Sequence, residues 1–145
     1  YLTLTVWTAA DTETVEHVAP QKGSSLWASD IYTQPDVVHT LGNLMLFPRV
    51  TNSALGNGGP KAKWPVYRAL AAKDAKARLE EIQKAKDMGA EITKKLQEVI
   101  DDSSRLPLVA SVADFNGDWS ADVIRKRSEN LAEQAWESIA PWIGF

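Results

Sequence analysis

The sequence predicts an α+β fold in which a small strand–strand–helix motif is embedded in a mainly helical domain. Three observations predict it. Short runs with strand character come first: residues 1–10 alternate Leu2, Leu4 and Val6 with Thr3 and Thr5, and residues 14–19 and 43–47 are apolar stretches of strand length. From about residue 64 onward, apolar side chains recur at helical spacing among many Ala and Lys. Finally, 145 residues that are 44% hydrophobic, six of them Trp, suffice to bury a core. The expected organisation is a single domain over residues 1–145, with a motif core at 14–63 and a helical remainder at 64–145.

The elements follow in order. The opening strand ends in an acidic stretch, and the run 14–19 is closed by Pro20, after which Lys22, Gly23 and the two serines read as loop. Residues 26–32 have no clear period. Pro35 opens a short segment through Val37, Val38 and His39, Gly42 makes a turn, and 43–47 forms the next strand. Thr51 is expected to cap a short helix starting at Asn52, which Gly56, Gly58, Gly59 and Pro60 terminate. Pro65 suits the first position of a long helix reaching about Met88, where Gly89 interrupts, and Ile92, Leu96, Val99 and Ile100 continue at the same spacing. An extended piece is expected at 106–112. Ser120 then caps a last helix whose inward residues would be Ile124, Leu131, Ala135 and Ile139, and the six Trp read as core.

Composition excludes several function classes. With no Cys there are no disulfides, thiolate nucleophiles or Cys-based zinc sites, and the two His supply imidazole zinc sites poorly. A metal here needs oxygen ligands, which points to magnesium or manganese. No apolar run approaches the roughly eighteen residues of a membrane span, and the N-terminal alternation is unlike a signal peptide, so a soluble, cytoplasmic protein is expected. The net charge of −3 speaks against nucleic acid only on average. Residues 41–79 carry Arg49, Lys61, Lys63, Arg68, Lys73, Lys76 and Arg78 against Asp74 alone, whereas residues 1–40 carry one Lys against five acids. The positive charge therefore sits directly behind the motif, either to meet DNA or as a solvated helix surface.

The chemistry gathers in three places: Glu16-His17 at the end of one strand, Asn43 entering the next, and Asn52 on the short helix. A strand, a strand and a helix would bring these side chains to one point, which is the ββα-metal nuclease arrangement. Hydrolysis of a phosphodiester needs a base for the attacking water and a counter-charge for the leaving oxygen. His17 fits the first task, because a near-neutral imidazole accepts a proton at physiological pH, typically worth about 10² to 10⁴ in rate. Glu16 and Asn52 fit the second, as oxygen ligands of one magnesium.

The string Glu16-His17-Val18-Ala19-Pro20-Gln21, then His39-Thr40-Leu41-Gly42-Asn43-Leu44-Met45-Leu46, then Asn52-Ser53-Ala54-Leu55-Gly56-Asn57, resembles the HNH nuclease domain of GmrSD-type restriction enzymes. The likeness extends more weakly through Lys61, Lys63 and Tyr67 to Arg127, Leu131 and Trp136. The resemblance implies magnesium- or manganese-dependent cleavage of DNA in defence against foreign DNA, by nicking where a single site acts. It also implies that the Asn43 amide holds the loop backbone so that His17 faces the water. Glu16 stands where many relatives have Asp, and the third motif position is Asn52 and not His. The resemblance further implies a nucleotide-hydrolysing, modification-sensing domain before this one; Gly56-Asn57-Gly58-Gly59-Pro60 lacks the ending of a phosphate-binding loop, so this chain is expected to be the C-terminal fragment of a larger protein.

Further candidate DNA contacts are His39, Arg49, Asn57, Lys61 and Lys63. Each has a structural alternative: His39 could cap the turn before Gly42, Asn57 could be a left-handed turn residue, and the lysines could solvate a loop. Two rival functions stand beside the nuclease: a non-catalytic DNA- or protein-binding module that kept the fold, and an RNA-cleaving or toxin-type HNH domain.

Overall fold

The computed structural model describes residues 14–87, 92–102, 107–115 and 118–144, so the expected strand over 1–10 and the turn at Gly89 lie outside the described residues. Strand β1 (Thr14–His17) pairs antiparallel with β2 (Leu44–Phe47) in a two-stranded sheet, and the other elements among the described residues are helical. The α+β class expected from the sequence is therefore the class observed. Side chains alternate along the strands as pleating requires, so Val15 is exposed while Glu16, Met45 and Phe47 turn inward.

The chain divides into two compact units, one drawing on residues 14–16 with the described residues from 45 to 115, the other on residues 17–44 with those from 118 to 144. It leaves the first between Glu16 and His17 and returns between Leu44 and Met45.

In the first unit, helix α2 (Arg49–Leu55) starts two residues before the expected Thr51 cap. Pro48 in extended conformation is the boundary residue, and Thr51 is buried inside the helix. Gly56 ends it at φ 50°, its N–H reaching the Asn52 carbonyl at 3.0 Å. Helix α3 (Pro60–Ala71) likewise begins earlier than expected: Pro60 occupies its first turn and Pro65 lies inside, where it lacks the N–H that would bond the carbonyl of residue 61. The long helix expected to about Met88 is broken after Ala71. Asp74 Oδ1 accepts the Ala77 N–H at 2.8 Å and so starts α4 (Ala75–Asp87) as a cap that helix periodicity alone conceals.

Helix α5 (Lys94–Asp102) has its Ile100 carbonyl bonded by Arg78 Nη1 at 2.9 Å, and α6 (Pro107–Ala113) replaces the extended piece expected there. Val109, Val112 and Ala113 share a helical face buried in the core, and α6 packs on α3. Phe47, Trp64 and Tyr67 form the aromatic centre, with Phe47 edge-on to Tyr67 at 5.8 Å, and Trp64 Nε1 donates to the Phe115 carbonyl at 3.0 Å.

The second unit holds α1 (Asp30–Thr33), the two 3₁₀ turns Val37–His39 and Leu41–Asn43, helix α7 (Ala121–Ile139) and a closing 3₁₀ turn Ala140–Trp142. Ser120 caps α7 as the sequence suggests, its hydroxyl accepting the Val123 N–H, while Asp30 Oδ2 accepts the Ala121 N–H at 3.1 Å. Trp27, Ile31, Val37, Trp119 and Ile124 are buried. Beyond its first turns α7 departs from the expected inward row: Leu131 is half-buried, and Ala135 and Ile139 are exposed. Trp27, Trp64 and Trp119 are core, whereas Trp136 and Trp142 are 52% and 75% exposed.

Candidate active site

The second unit fixes one end of the motif around Asn43. This side chain is fully buried and uses its whole bonding capacity. Its Oδ1 accepts the Ala19 N–H at 2.9 Å and the Trp119 Nε1–H at 3.0 Å, and its Nδ2 donates to the carbonyls of Ala19 and Val38, both at 2.8 Å. The Asn43 carbonyl adds a bond from the Val18 N–H at 2.9 Å. The two residues after His17 are thus held at three points by one residue. His17, half-buried at the end of β1, meets His39 edge to face with ring centroids 5.6 Å apart, and the Gln21 amide nitrogen lies 3.3 Å from its Nε2.

The turn bearing Asn43 is clamped in turn by α7. Gly42 lies so close to the helix that a Cβ would stand 1.8 Å from the Ile124 carbonyl oxygen, a contact only glycine permits. Its N–H donates to Ser128 Oγ at 2.7 Å, and Arg127 Nη1 donates to the carbonyls of Gly42 at 2.6 Å and Leu44 at 3.1 Å. Burial lowers the Arg127 pKa from its usual value, yet the guanidinium stays charged, and Nη1 alone reaches both carbonyls.

The first unit holds the other residues. Asn52, on α2, donates its amide N–H groups to Thr14 Oγ1 at 3.0 Å and to the Val15 carbonyl at 3.1 Å, so it braces the strand that ends in His17. Its carbonyl oxygen takes no part in either bond. Glu16 turns into the core, 3% exposed, where Oε1 accepts Lys63 Nζ at 2.6 Å and the Tyr67 hydroxyl at 2.8 Å. Burial raises the Glu16 pKa and lowers that of Lys63, each against the attraction of the partner, and burial drives the Tyr67 hydroxyl well above its ordinary range. Desolvation therefore outweighs the Coulomb gain of the pair.

A model of the family described as GmrSD restriction endonucleases, C-terminal domain, matches residues 4–134. The chain belongs to that family. Membership makes this GmrSD C-terminal domain a nuclease-type hydrolase domain of restriction enzymes, with DNA as the implied substrate. No individual curated protein matches it. Among the described residues no helix is long and apolar enough to cross a membrane.

Restriction endonucleases typically use a divalent cation, and the expected ligands were Glu16 and Asn52. As arranged, this pair does not fit one. A cation at Glu16 would meet the Lys63 ammonium already 2.6 Å from Oε1, and among the described residues no group of three or more His, Cys, Asp or Glu side chains could hold a metal. The expected metal ligand Glu16 thus becomes an ion-pair partner, because β1 alternation points it inward. Lys63, expected to grip DNA, is buried at 1% on the inward face of α3. Among the remaining candidates, His39, Arg49, Asn57 and Lys61 are exposed. Asn57 is not the left-handed residue of its turn; Gly56 is.

Sequence reasoning did not single out Lys63 and Tyr67 as the partners of Glu16, nor Trp119 and Ser128 as partners of the Asn43 loop. A signal for the first pair exists: Lys63, Tyr67 and Leu70 are spaced four and three apart on one helical face, so a lysine there is carried inward with its neighbours.

Proposed function

We propose that this GmrSD C-terminal domain cleaves the phosphodiester backbone of DNA, with His17 as general base for the attacking water. The observation that carries the reading is the Asn43 amide, which closes on Ala19 two residues beyond His17 and so fixes the direction in which β1 presents the imidazole. Orientation of this kind is what converts an encounter between water and phosphate into a positioned reaction. A half-buried imidazole at a strand end can reach water and take its proton, a contribution of about 10² to 10⁴ in rate.

Asn52 supports the same strand through Thr14 and Val15, and it is assigned a positioning role. Glu16 is assigned no bond to a metal, and no step here is routed through one. Whether magnesium or manganese enters is decided by assay. A lone site of this kind attacks one strand at a time, so nicking is the expected product in the restriction of foreign DNA.

The test incubates supercoiled plasmid with the domain in magnesium, in manganese and in chelator, beside His17→Ala and Asn43→Ala. The expected result is conversion to open circle by the wild type and its loss in His17→Ala. Cutting that persists in His17→Ala overturns the assignment of the base. A parallel RNA substrate should be spared; preferential cutting of RNA would reverse the substrate assignment.

A further inference from the structure

We propose that His39 is a second side chain of the His17 site, donating a ring N–H to a non-bridging oxygen of the DNA phosphodiester. The inference rests on the nuclease reading above and adds how the backbone is gripped.

The chain contains only two histidines, and the fold brings them together with ring centroids 5.6 Å apart at 88°. Two flexible surface loops would not hold such a contact. Here, Nδ2 of the fully buried Asn43 donates at once to the Ala19 and Val38 carbonyls, 2.8 Å each, so a single amide ties the loop after His17 to the residue before His39. The turn beneath His39 is closed as well. The His39 N–H bonds the Asp36 carbonyl at 2.9 Å, Thr40 Oγ1 bonds the Val37 carbonyl at 2.8 Å, and Asp36 enters the turn at φ 60°. A left-handed aspartate is tolerated where surrounding bonds determine the backbone.

All of this order ends in an exposed imidazole that fills no core. Packing therefore does not account for the placement of His39, whose ring stays accessible to a ligand beside His17. The Gln21 amide adds a polar neighbour, its nitrogen 3.3 Å from Nε2 of the His17 ring that His39 touches. A phosphodiester carries one negative charge on two equivalent oxygens, which N–H donors from several directions satisfy together. Because every nucleotide presents the same oxygens, the contact would hold DNA without reading its sequence.

The experiment measures fluorescence anisotropy of a dye-labelled DNA duplex in EDTA with the full chain, His39→Ala and His39→Asn. His39→Ala should bind about ten- to a hundredfold more weakly, as expected for loss of a hydrogen bond to a charged acceptor. His39→Asn, which keeps an N–H donor, should recover part of the loss, and both variants should melt like the wild type. Equal binding by wild type and His39→Ala, or binding by neither, overturns the proposal. A His39→Ala defect accompanied by lower melting and not relieved by His39→Asn also overturns it, because the residue would then serve the turn alone. Plasmid nicking run in parallel separates the two readings. Loss of cutting in His17→Ala with normal duplex binding by His39→Ala leaves the nuclease reading standing and removes this one. A His39→Ala binding defect in a domain that never cuts removes the nuclease reading and keeps the phosphate contact.

Discussion

Replacing Lys63 by Met tests the buried ion pair directly, since Met has similar length and no charge. The change would leave the Glu16 carboxylate 3% exposed with the Tyr67 hydroxyl as its remaining donor among the bonds described here. Breaking a buried pair by removing one partner costs about 3 to 5 kcal/mol. Against a typical domain stability of about 5 to 15 kcal/mol, that is a large share. The cost depends on pH in a definite direction. Burial already raises the folded-state pKa of Glu16 above 4.5, and loss of the Lys63 attraction raises it further. In the window from 4.5 up to the raised value, the folded protein holds a proton that the unfolded chain has released, so stability falls as pH rises through that window. Lys63→Met should therefore be less destabilised at pH 5 than at pH 8. Adding Glu16→Met should recover much of the loss, because no charge is then buried, although the Tyr67 hydroxyl loses its acceptor at about 1 to 3 kcal/mol. Urea unfolding followed by Trp fluorescence reports this, since Trp64 packs against Tyr67 at 5.8 Å. A single-variant cost below about 1 kcal/mol, or a double variant as unstable as the sum of the two singles, would refute the account.

Three further outcomes follow from the second unit. Asn43→Ala should lower stability by about 3 kcal/mol or more in thermal melts, because four buried backbone and indole groups lose their partner, and plasmid nicking should disappear. Gly42→Ala should cost at least about 2 to 3 kcal/mol by the same measurement, since the added methyl meets the Ile124 carbonyl and α7 must move. A Gly42→Ala protein that melts like wild type would contradict the close approach. Arg127→Met should lower the melting temperature, because the Gly42 and Leu44 carbonyls both lose the Nη1 donor that binds them; unchanged melting would show these bonds to be dispensable.

Much of the scaffold was legible in the residues, for reasons that differ from element to element. Ser120 announces α7 because a hydroxyl before an Ala-Asp start is a local signal, and β2 is visible as an uninterrupted apolar run. Residues 107–113 misled because their valines favour strands in isolation, while packing on α3 decides for a helix. The break at residues 72–74 was hidden in an Ala- and Lys-rich stretch that has helical propensity on both sides, and only the Asp74 side chain marks it. At the candidate site, the motif picks out candidate residues but not where each one points. Glu16 and His17 are neighbours in sequence and therefore lie on alternate sides of a strand, so pleating turns Glu16 towards Lys63 and Tyr67 and leaves His17 half-buried on the other side. The partners of Asn43 were beyond reach of local reading, since Trp119 stands 76 residues away.

That separation has a bearing on biosynthesis. The loop around Asn43 waits for the Trp119 indole, and the turn before it waits for Arg127 and Ser128, which leave the ribosome more than eighty residues after Gly42. A nascent chain already displaying Glu16-His17 and Asn43 would still lack the groups that hold this loop in place. The loop that carries Asn43 would then take its final form only with the last helix, long after its own residues have been translated.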